Sequence, residues 1–246
     1  MKNLTTAPAL LLFVVTITLG CSKRSLSPQT DYDTEESATK GNNNSQNLNY
    51  LALGDSYTIG TSVEPEDNYP SQLSSAIENQ LSAKVDYKIV AKAGWRTDEL
   101  LKALDNEKID NHQDLVTLLI GVNNQYQGEP FSKYRREFKE LLKSAIQYAD
   151  GRSNNVFVIS IPDWSYTPYG QGWDSEKITE QINEYNAFAE ETALENGVKF
   201  ISITDITREG LTNENLVADD GLHPSKEAYR LFVDRMLPII VSSLKN

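Results

Sequence analysis

The sequence predicts a three-layer α/β/α sandwich built on a five-stranded parallel sheet. Five short apolar runs, rich in β-branched and aromatic residues, alternate with five helical stretches. This alternation is typical of βαβ units, in which helices cover both faces of a parallel sheet. The chain has 246 residues, of which 39% are hydrophobic and 24% charged, and it contains no internal repeat. Its composition therefore suits one domain with a sizeable core and excludes collagen, a coiled coil or a wholly disordered chain.

The predicted strands are apolar runs bounded by Gly, Pro, Asn or Asp, as expected of strands buried on both faces. They cover residues 50–53, 85–90, 115–120, 156–161 and 198–203. The predicted helices follow in order. The first, 70–83, has apolar residues at fourfold spacing, and the second begins with Thr97 as its N-cap. The others cover 131–148, 175–196 and 225–244, with Gly197 closing the fourth.

The first 20 residues are predicted to be a signal peptide. Lys2 supplies a positive start, and residues 8–20 form an apolar run shorter than the roughly 20 residues of a transmembrane helix. The run ends in Leu19-Gly20-Cys21, which resembles the lipobox of bacterial lipoproteins and includes the chain's single cysteine. That resemblance implies lipidation of Cys21 and export to the bacterial cell envelope with membrane anchoring. The alternative is a plain secretory signal with Cys21 incidental.

Residues 21–47 are predicted to be the lipidated cysteine and a disordered tether, because the segment is polar and almost free of large apolar side chains. The folded domain is predicted to cover 48–246. The net charge of −12 excludes the basic surface that nucleic-acid binding requires. One cysteine and two histidines exclude a disulfide framework and a zinc site of several Cys or His ligands. Neither a metal nor an organic cofactor is therefore expected.

Polar groups that suit nucleophilic catalysis follow the predicted strands. Ligands of such sheets bind at the carboxyl ends of the strands. Ser56 follows the first strand, and Asp220 and His223 precede the last helix. A serine hydroxyl needs a base to take its proton, and a carboxylate usually orients that base. The other histidine, His112, lies in a polar stretch before the third strand and is expected at the surface.

Four blocks in this order resemble the SGNH (GDSL) hydrolase family. They are Gly54-Asp55-Ser56, Gly94, Gly121-Val122-Asn123 and Asp220-Gly221-Leu222-His223. The resemblance covers the chain from about residue 48 onward and implies a flavodoxin-like sheet of strand order 2-1-3-4-5. It also implies ester hydrolysis through an acyl-enzyme intermediate.

The same resemblance assigns roles to the matching residues. It makes Ser56 the nucleophile, His223 the base and Asp220 its partner, with Ser56, Gly94 and Asn123 forming an oxyanion hole. Asn124 stands where the family commonly has Asp, and Lys92 where it often has Asn. Because neither position belongs to the triad, these departures predict altered local hydrogen bonding rather than loss of activity.

The substrate is left open by the sequence. The three tryptophans and several tyrosines lie in loops after predicted strands, so they either wall a cleft or pack on one another. Arg96 either binds an anionic group of the substrate or balances nearby carboxylates, and the second is favoured. The candidate substrate-binding residues are Trp95, Arg96, Tyr126, Trp164 and Trp173.

The expected function is that of an envelope lipoprotein esterase acting on a small-molecule or glycan ester. The candidates are saccharide O-acetyl groups, simple short-chain esters and lysophospholipids. The alternative is a non-catalytic protein that binds a glycan or a partner on the same fold. A flavin or nucleotide carrier is disfavoured because no glycine-rich phosphate loop follows the first strand. Membrane contact is expected only through the lipid anchor, and the sequence does not indicate an oligomeric state.

Overall fold

The computed structural model describes residues 46–245. The predicted signal peptide, Cys21 and almost all of the predicted tether lie outside the described residues. The first strand begins at Asn47, one residue before the predicted start of the domain. The backbone N–H of Lys84 donates to the carbonyl of Gln46 at 2.8 Å, which adds Gln46 to the edge of the sheet.

A five-stranded, all-parallel sheet forms the centre of the domain. Its strands are β1 (Asn47–Gly54), β2 (Lys84–Ala91), β3 (Leu115–Leu119), β4 (Val156–Ile159) and β5 (Lys199–Ile201). Their order is β2-β1-β3-β4-β5, so the predicted fold and strand order are confirmed. Every residue of β3 and β4 is buried, which is why these strands read as unbroken apolar runs rather than alternating ones. Their carboxyl ends share one edge of the sheet, and the site lies there.

Eight α-helices surround the sheet in the described part of the chain. They are α1 (Ser56–Ile59), α2 (Tyr69–Leu81), α3 (Thr97–Asn106), α4 (Val122–Tyr126), α5 (Phe131–Tyr148), α6 (Ser175–Glu195), α7 (Thr204–Thr207) and α8 (Lys226–Leu244). One group consists of α2 packed against α8, and in a second group α5 packs against both α3 and α6. The five long helices are those that the sequence predicts. Between residues 46 and 245, no helix is both long and apolar enough to cross a bilayer.

The short helices α1, α4 and α7 were not predicted from the sequence. Each has four or five residues, which is too few for an amphipathic pattern to show. The start of α3 also differs from its prediction. Thr97 is the first residue of the helix rather than its cap, and its backbone N–H donates to Asn124 Oδ1 at 3.0 Å. A side chain of α4 therefore satisfies one of the backbone N–H groups that the first turn of a helix leaves without an intrahelical partner.

Candidate active site

The nucleophile candidate lies on a tight turn from strand to helix. Ser56 is the first residue of α1, separated from the end of β1 by Asp55 alone, and it is almost fully buried. Asp55 caps this helix by accepting the backbone N–H of Tyr57 at 3.0 Å. A Cβ on Gly54 would lie 2.1 Å from Thr58 Oγ1 and 2.4 Å from the carbonyl oxygen of Leu119. Only glycine fits there, because the chain must bend closely over β3 to present Ser56 at the sheet edge.

A second loop carries the histidine and its carboxylate partner. The Nδ1 atom of His223 lies 2.6 Å from Asp220 Oδ2. The other carboxylate oxygen accepts the backbone N–H groups of Leu222 and His223, both at 2.9 Å. Burial raises the pKa of Asp220, but hydrogen bonds from Ser62, His223 and these backbone amides outweigh it and hold that pKa well below its usual range. An ionised Asp220 only accepts, so Nδ1 of His223 carries a proton and Nε2 keeps the lone pair that a base needs.

Ser56 and His223 line the same cavity, which has a volume of about 250 Å³. They come from opposite ends of the domain, after β1 and before α8. The ring of Tyr57 packs against that of His223, with centroids 5.1 Å apart. The cavity is lined by Ser56, Tyr57, Ala93, Gly94, Val122, Asn123, Tyr126, Trp164, Tyr169, Leu222 and His223. The chain thus brings its predicted nucleophile and predicted base to one opening at the sheet edge.

The predicted oxyanion-hole residues lie around this cavity too. Gly94 has a φ of +83°, a left-handed conformation that glycine adopts without strain. The side-chain amide of Asn123 donates to the carbonyl of Trp95 at 3.0 Å and lies 3.5 Å from Asp55 Oδ2. The first bond orients the amide, whereas the second is long and leaves one N–H available for a charged oxygen. Ser56, Gly94 and Asn123 all line the cavity, so the three predicted donor residues border the same space.

Asp55 is a fully buried carboxyl group directly behind the nucleophile. Burial raises its pKa to about 7, although hydrogen bonds from the backbone N–H of Tyr57 and from Asn123 oppose the shift. A pKa in this range places the change of charge near neutral pH, next to Asn123, which is a predicted oxyanion-hole residue. No separate role for Asp55 was predicted from the sequence.

Asn124 and Lys92 are the two departures from the family pattern. Asn124 is fully buried, and its amide nitrogen donates to Thr97 Oγ1 at 2.8 Å. The hydroxyl of Thr97 donates in turn to Glu137 Oε2 at 2.6 Å. The amide thus tethers α4 to the start of α3, away from the reacting groups. Lys92 is exposed, and its backbone carbonyl accepts the N–H of Trp95 at 3.2 Å.

The predicted substrate-binding side chains divide into two groups. Tyr126 and Trp164 line the cavity, whereas Trp95, Arg96 and Trp173 do not. Trp95 lines a separate groove beside α3. The Arg96 guanidinium is held by Asp98 at 3.1 Å, by Glu129 at 3.6 Å and by Gln127 Oε1 at 2.5 Å. Arg96 therefore balances carboxylates, which was the favoured alternative.

The loop after β4 both packs on itself and walls the cavity. The rings of Trp164 and Trp173 meet edge to face with centroids 5.6 Å apart, and Tyr126 packs on both. The hydroxyls of Tyr126 and Tyr169 lie 2.5 Å apart, which joins this loop to α4. Trp173 is 53% exposed and extends the aromatic surface outward from the cavity. The aromatic side chains therefore both wall the cavity and pack on one another, which were the two alternatives left open by the sequence.

Several residues of the site were missed from the sequence. Tyr57 and Leu222 line the cavity and are direct neighbours of Ser56 and His223, so their position was an available signal. Ser62, which donates to Asp220 Oδ2 at 2.7 Å, carried no such signal. His112 is exposed, as expected, and lies 3.7 Å from Asp150. Within residues 46–245, no three His, Cys, Asp or Glu side chains converge closely enough to hold a metal ion.

Solved structures of lipolytic and esterase proteins share this fold. A member of the lipolytic G-D-S-L family from Veillonella parvula superposes with a TM-score of 0.60 at 19% identity, over 78% of this chain and 97% of its own. A lipase/acylhydrolase from Enterococcus faecalis gives a TM-score of 0.61 at 22% identity, over 79% and 96%. An acetylxylan esterase from Geobacillus stearothermophilus gives 0.61 at 15%, over 80% and 95%.

Sequence comparison gives a more direct answer. A search of curated protein sequences found no match. Residues 52–231 nevertheless match the profile of the GDSL-like Lipase/Acylhydrolase family, a segment that contains all four sequence blocks. The chain therefore belongs to the GDSL-like lipase/acylhydrolase family and is a hydrolase of ester bonds.

Proposed function

We propose that this protein hydrolyses esters of short acyl groups through an acyl-enzyme intermediate on Ser56. The observation that carries the proposal is one cavity lined by both Ser56 and His223, with Asp220 2.6 Å behind the imidazole. A serine, a base and an orienting carboxylate are the three groups that acyl transfer of this kind requires.

The first half of the reaction makes the acyl-enzyme. Nε2 of His223 takes the hydroxyl proton of Ser56 while Oγ bonds to the ester carbonyl carbon. The carbonyl electron pair moves onto the oxygen, and the N–H donors of Ser56, Gly94 and Asn123 stabilise that charge. When the carbonyl re-forms, the bond to the alcohol oxygen breaks, and His223 returns the proton to the leaving alcohol.

The second half releases the acid. Water loses a proton to His223 and attacks the acyl carbon, and the same donors stabilise the second charged oxygen. Collapse of this intermediate breaks the bond to Oγ of Ser56 and returns the proton to it. Asp220, which stays ionised, stabilises the positive imidazole formed in each half.

The size of the cavity favours a short acyl group. Its volume of about 250 Å³ lies below the roughly 300–1,000 Å³ of cavities that enclose drug-sized ligands. The lining includes the bulky side chains of Tyr57, Trp164 and Tyr169, which leave little room for a long chain. An acetyl or similarly small group fits these limits better than a long fatty acyl chain.

The aromatic surface beside the cavity favours a saccharide as the alcohol. Tyr126, Tyr169 and Trp173 are 42%, 41% and 53% exposed, which is unusual for side chains of this size. Flat aromatic faces with polar edges suit the apolar faces and hydroxyl groups of sugar rings. The net charge of −12 disfavours polyanionic alcohols. An O-acetylated neutral saccharide is therefore the proposed natural substrate class.

Hydrolysis of p-nitrophenyl acetate tests the proposal. We expect turnover by the purified protein and its loss in Ser56→Ala and in His223→Ala, both with unchanged thermal unfolding. Equal rates for wild type and Ser56→Ala would instead favour a non-catalytic glycan- or partner-binding protein. A panel of acetylated xylooligosaccharides, short aryl esters and lysophospholipids then identifies the substrate class.

We also propose that Cys21 anchors the protein to the cell envelope through attached lipid. The support is the Leu19-Gly20-Cys21 end of an apolar leader, followed by a polar segment long enough to act as a tether. Several acyl chains hold a protein stably, whereas one does so only marginally. Membrane fractionation of the expressed chain tests this proposal. We expect Cys21→Ser to move the protein to the soluble fraction, and unchanged membrane association would contradict the anchor.

A further inference from the structure

Ser62 connects the loop that carries the nucleophile to the loop that carries the base. Its hydroxyl donates to Asp220 Oδ2 at 2.7 Å across 158 positions of sequence. The same oxygen is 2.6 Å from Nδ1 of His223. The two hydrogen bonds of Oδ1 come from Leu222 and His223, within the loop of Asp220 itself. Of the four hydrogen bonds that this carboxylate makes within residues 46–245, only that of Ser62 comes from outside its own loop.

The position of Ser62 relative to the nucleophile is set by the backbone. The N–H groups of Gly60 and Thr61 both donate to the carbonyl of Ser56 at 3.0 Å, and that of Val63 donates to Gly60 at 3.3 Å. These bonds hold Ser62 at a defined offset from Ser56. The backbone of Ser62 has a φ of +69°, a conformation that residues other than glycine rarely adopt. Such strain persists where the surroundings impose it, often at functional sites.

We propose that Ser62 is a positioning residue that holds the His223–Asp220 pair in register with the nucleophile. This inference rests on the proposed ester hydrolysis, since it assigns Ser62 a part in the same reaction. The hydroxyl of Ser62 donates a hydrogen bond to Oδ2, and this bond fixes the orientation of the carboxylate in which Oδ2 also contacts Nδ1 of His223. Without it, the loop of Asp220 loses this direct bond to the nucleophile loop. The remaining hydrogen bonds to Oδ1 come from the same loop and would move with Asp220, so they would not hold His223 in position relative to Ser56.

Removal of the hydroxyl is expected to lower kcat with little change in KM. Ser62 does not line the cavity, so it contributes nothing to substrate contact. A displacement of about 1 Å in a reacting group costs on the order of 100-fold in rate, and the local bonds limit the movement here. We therefore expect Ser62→Ala and Ser62→Gly to lower kcat roughly 10- to 100-fold.

The two substitutions separate the hydrogen bond from the backbone strain. Glycine relieves the strain at φ +69°, whereas alanine keeps it, and both lack the hydroxyl. Ser82 is the matched control, because it is an exposed serine with a φ of +50° at the opposite edge of the sheet, before β2. Ser82→Ala and Ser82→Gly are expected to keep the wild-type kcat. If Ser62 acts only through fold stability, its variants will follow the Ser82 pair.

A second measurement does not depend on turnover. Hydrogen bonding to a carboxylate lowers its pKa, so loss of Ser62 should raise the pKa of Asp220 in a ¹³C NMR titration. Within residues 46–245, the titratable groups that act on the carboxylate are His223, Tyr57 and Tyr229. Those around the adjoining groove are Glu64, Asp67, Asp219 and Lys226. These groups are unchanged in the variants, so the comparison isolates the Ser62 hydroxyl.

The outcomes distinguish this inference from the proposed function. Lower kcat at constant KM in both Ser62 variants, with a raised Asp220 pKa, supports the positioning role. Wild-type kcat in both variants overturns it, even if the esterase is active. A change confined to KM would also overturn it by indicating substrate contact. An inactive wild-type protein would refute the esterase proposal, while the titration would still report whether Ser62 controls Asp220.

Discussion

The carboxamide of Asn124 is hydrogen-bonded at both ends to Thr97. Its Oδ1 accepts the Thr97 backbone N–H at 3.0 Å, and its Nδ2 donates to Thr97 Oγ1 at 2.8 Å. The single hydroxyl proton of Thr97 is used by Glu137 at 2.6 Å. The direction of this chain requires a group at position 124 that both accepts and donates, which an amide does and an ionised carboxylate does not. The family's usual aspartate would face Thr97 Oγ1 with a second oxygen.

Asn124→Asp is therefore expected to destabilise the fold by about 1–3 kcal/mol, the usual cost of an unsatisfied buried polar group. The negative charge at the start of α3 offsets only about 0.3–1 kcal/mol of this. Burial beside Glu137 should also raise the pKa of the new carboxyl, so the loss should be smaller at pH 5 than at pH 8. Urea unfolding at both pH values measures it.

Glu137→Gln supplies the control for that prediction. In the double variant Asn124→Asp/Glu137→Gln, the Gln amide can donate to Thr97 Oγ1, and the hydroxyl can donate to Asp at 124. The hydrogen-bond chain then runs in the opposite direction with every group satisfied. We expect the double variant to be more stable than Asn124→Asp alone. Additive losses in the two single variants would contradict the assigned chain.

Asp220→Asn is expected to reduce kcat by roughly 10³- to 10⁴-fold, while Asp219→Asn changes it little. An amide at position 220 presents a donor to Nδ1 of His223 or stabilises the wrong tautomer, as in serine proteases. Asp219 is exposed, and it is Asp220 that lies against Nδ1 of His223. The two substitutions remove the same charge at adjacent positions. A difference in kcat between the two variants therefore reports the position of the carboxylate and not the loss of charge. A larger loss in Asp219→Asn would reassign the triad.

Asn123→Ala is expected to lower kcat by about 10²- to 10³-fold with a small change in KM. The amide of Asn123 contributes one donor to the proposed oxyanion hole, and such donors act mainly in the transition state. The side chain is only partly buried, so thermal unfolding should change by no more than a few degrees. Steady-state kinetics with p-nitrophenyl acetate check both parameters. A rise in KM alone would mean that Asn123 binds the ground state instead.

Asp55 should make stability fall as pH rises from about 4 to 7. Burial raises its pKa from 3.8 to about 7, so the folded state binds a proton that the unfolded state has released in this range. Each unit of that shift corresponds to about 1.4 kcal/mol. Asp220 acts in the opposite direction, but only below its unfolded pKa near 4, because its folded pKa is lowered. The two effects therefore occupy different pH windows.

Asp55→Asn replaces the titrating carboxyl group with an amide of nearly the same size and shape. Its oxygen can still accept the Tyr57 N–H, while its new amide faces that of Asn123. We expect a shallower decline of unfolding free energy between pH 4 and 7, and greater stability than wild type at pH 8. The facing amides should also lower kcat. Identical pH slopes in wild type and variant would show that Asp55 is ionised throughout this range.

Trp173→Ala is expected to raise KM for an acetylated xylooligosaccharide up to about tenfold, since an aromatic contact contributes roughly 0.5–1.5 kcal/mol. The KM for p-nitrophenyl acetate should stay within twofold, because Trp173 does not line the cavity. Trp95→Ala is the matched control, because this loop tryptophan lies beside α3 and away from the aromatic surface. Equal effects of both substitutions would argue against the proposed saccharide surface.

The sheet and the three catalytic candidates were predictable from sequence for local reasons. A strand buried on both faces is apolar along its whole length, so β3 and β4 can be recognised in the sequence as continuous apolar runs. Ser56 lies one residue beyond the end of β1, where the rule for strand ends places a ligand site, and Asp220 and His223 are three residues apart in one loop. Their assignment as a triad came from the resemblance of the four sequence blocks to the family.

The tertiary structure decided which side chains from separate loops meet. Ser62 reaches Asp220 across 158 positions, and Asn124 rather than a local cap takes the N–H of Thr97. Arg96, whose role the sequence left open, pairs with carboxylates because the first turn of α3 and the loop after α4 bring Asp98 and Glu129 beside it. A hydrogen bond or ion pair forms only when the distance between its two atoms is correct to within a few tenths of an ångström. No local pattern in the sequence encodes such a distance between separate segments.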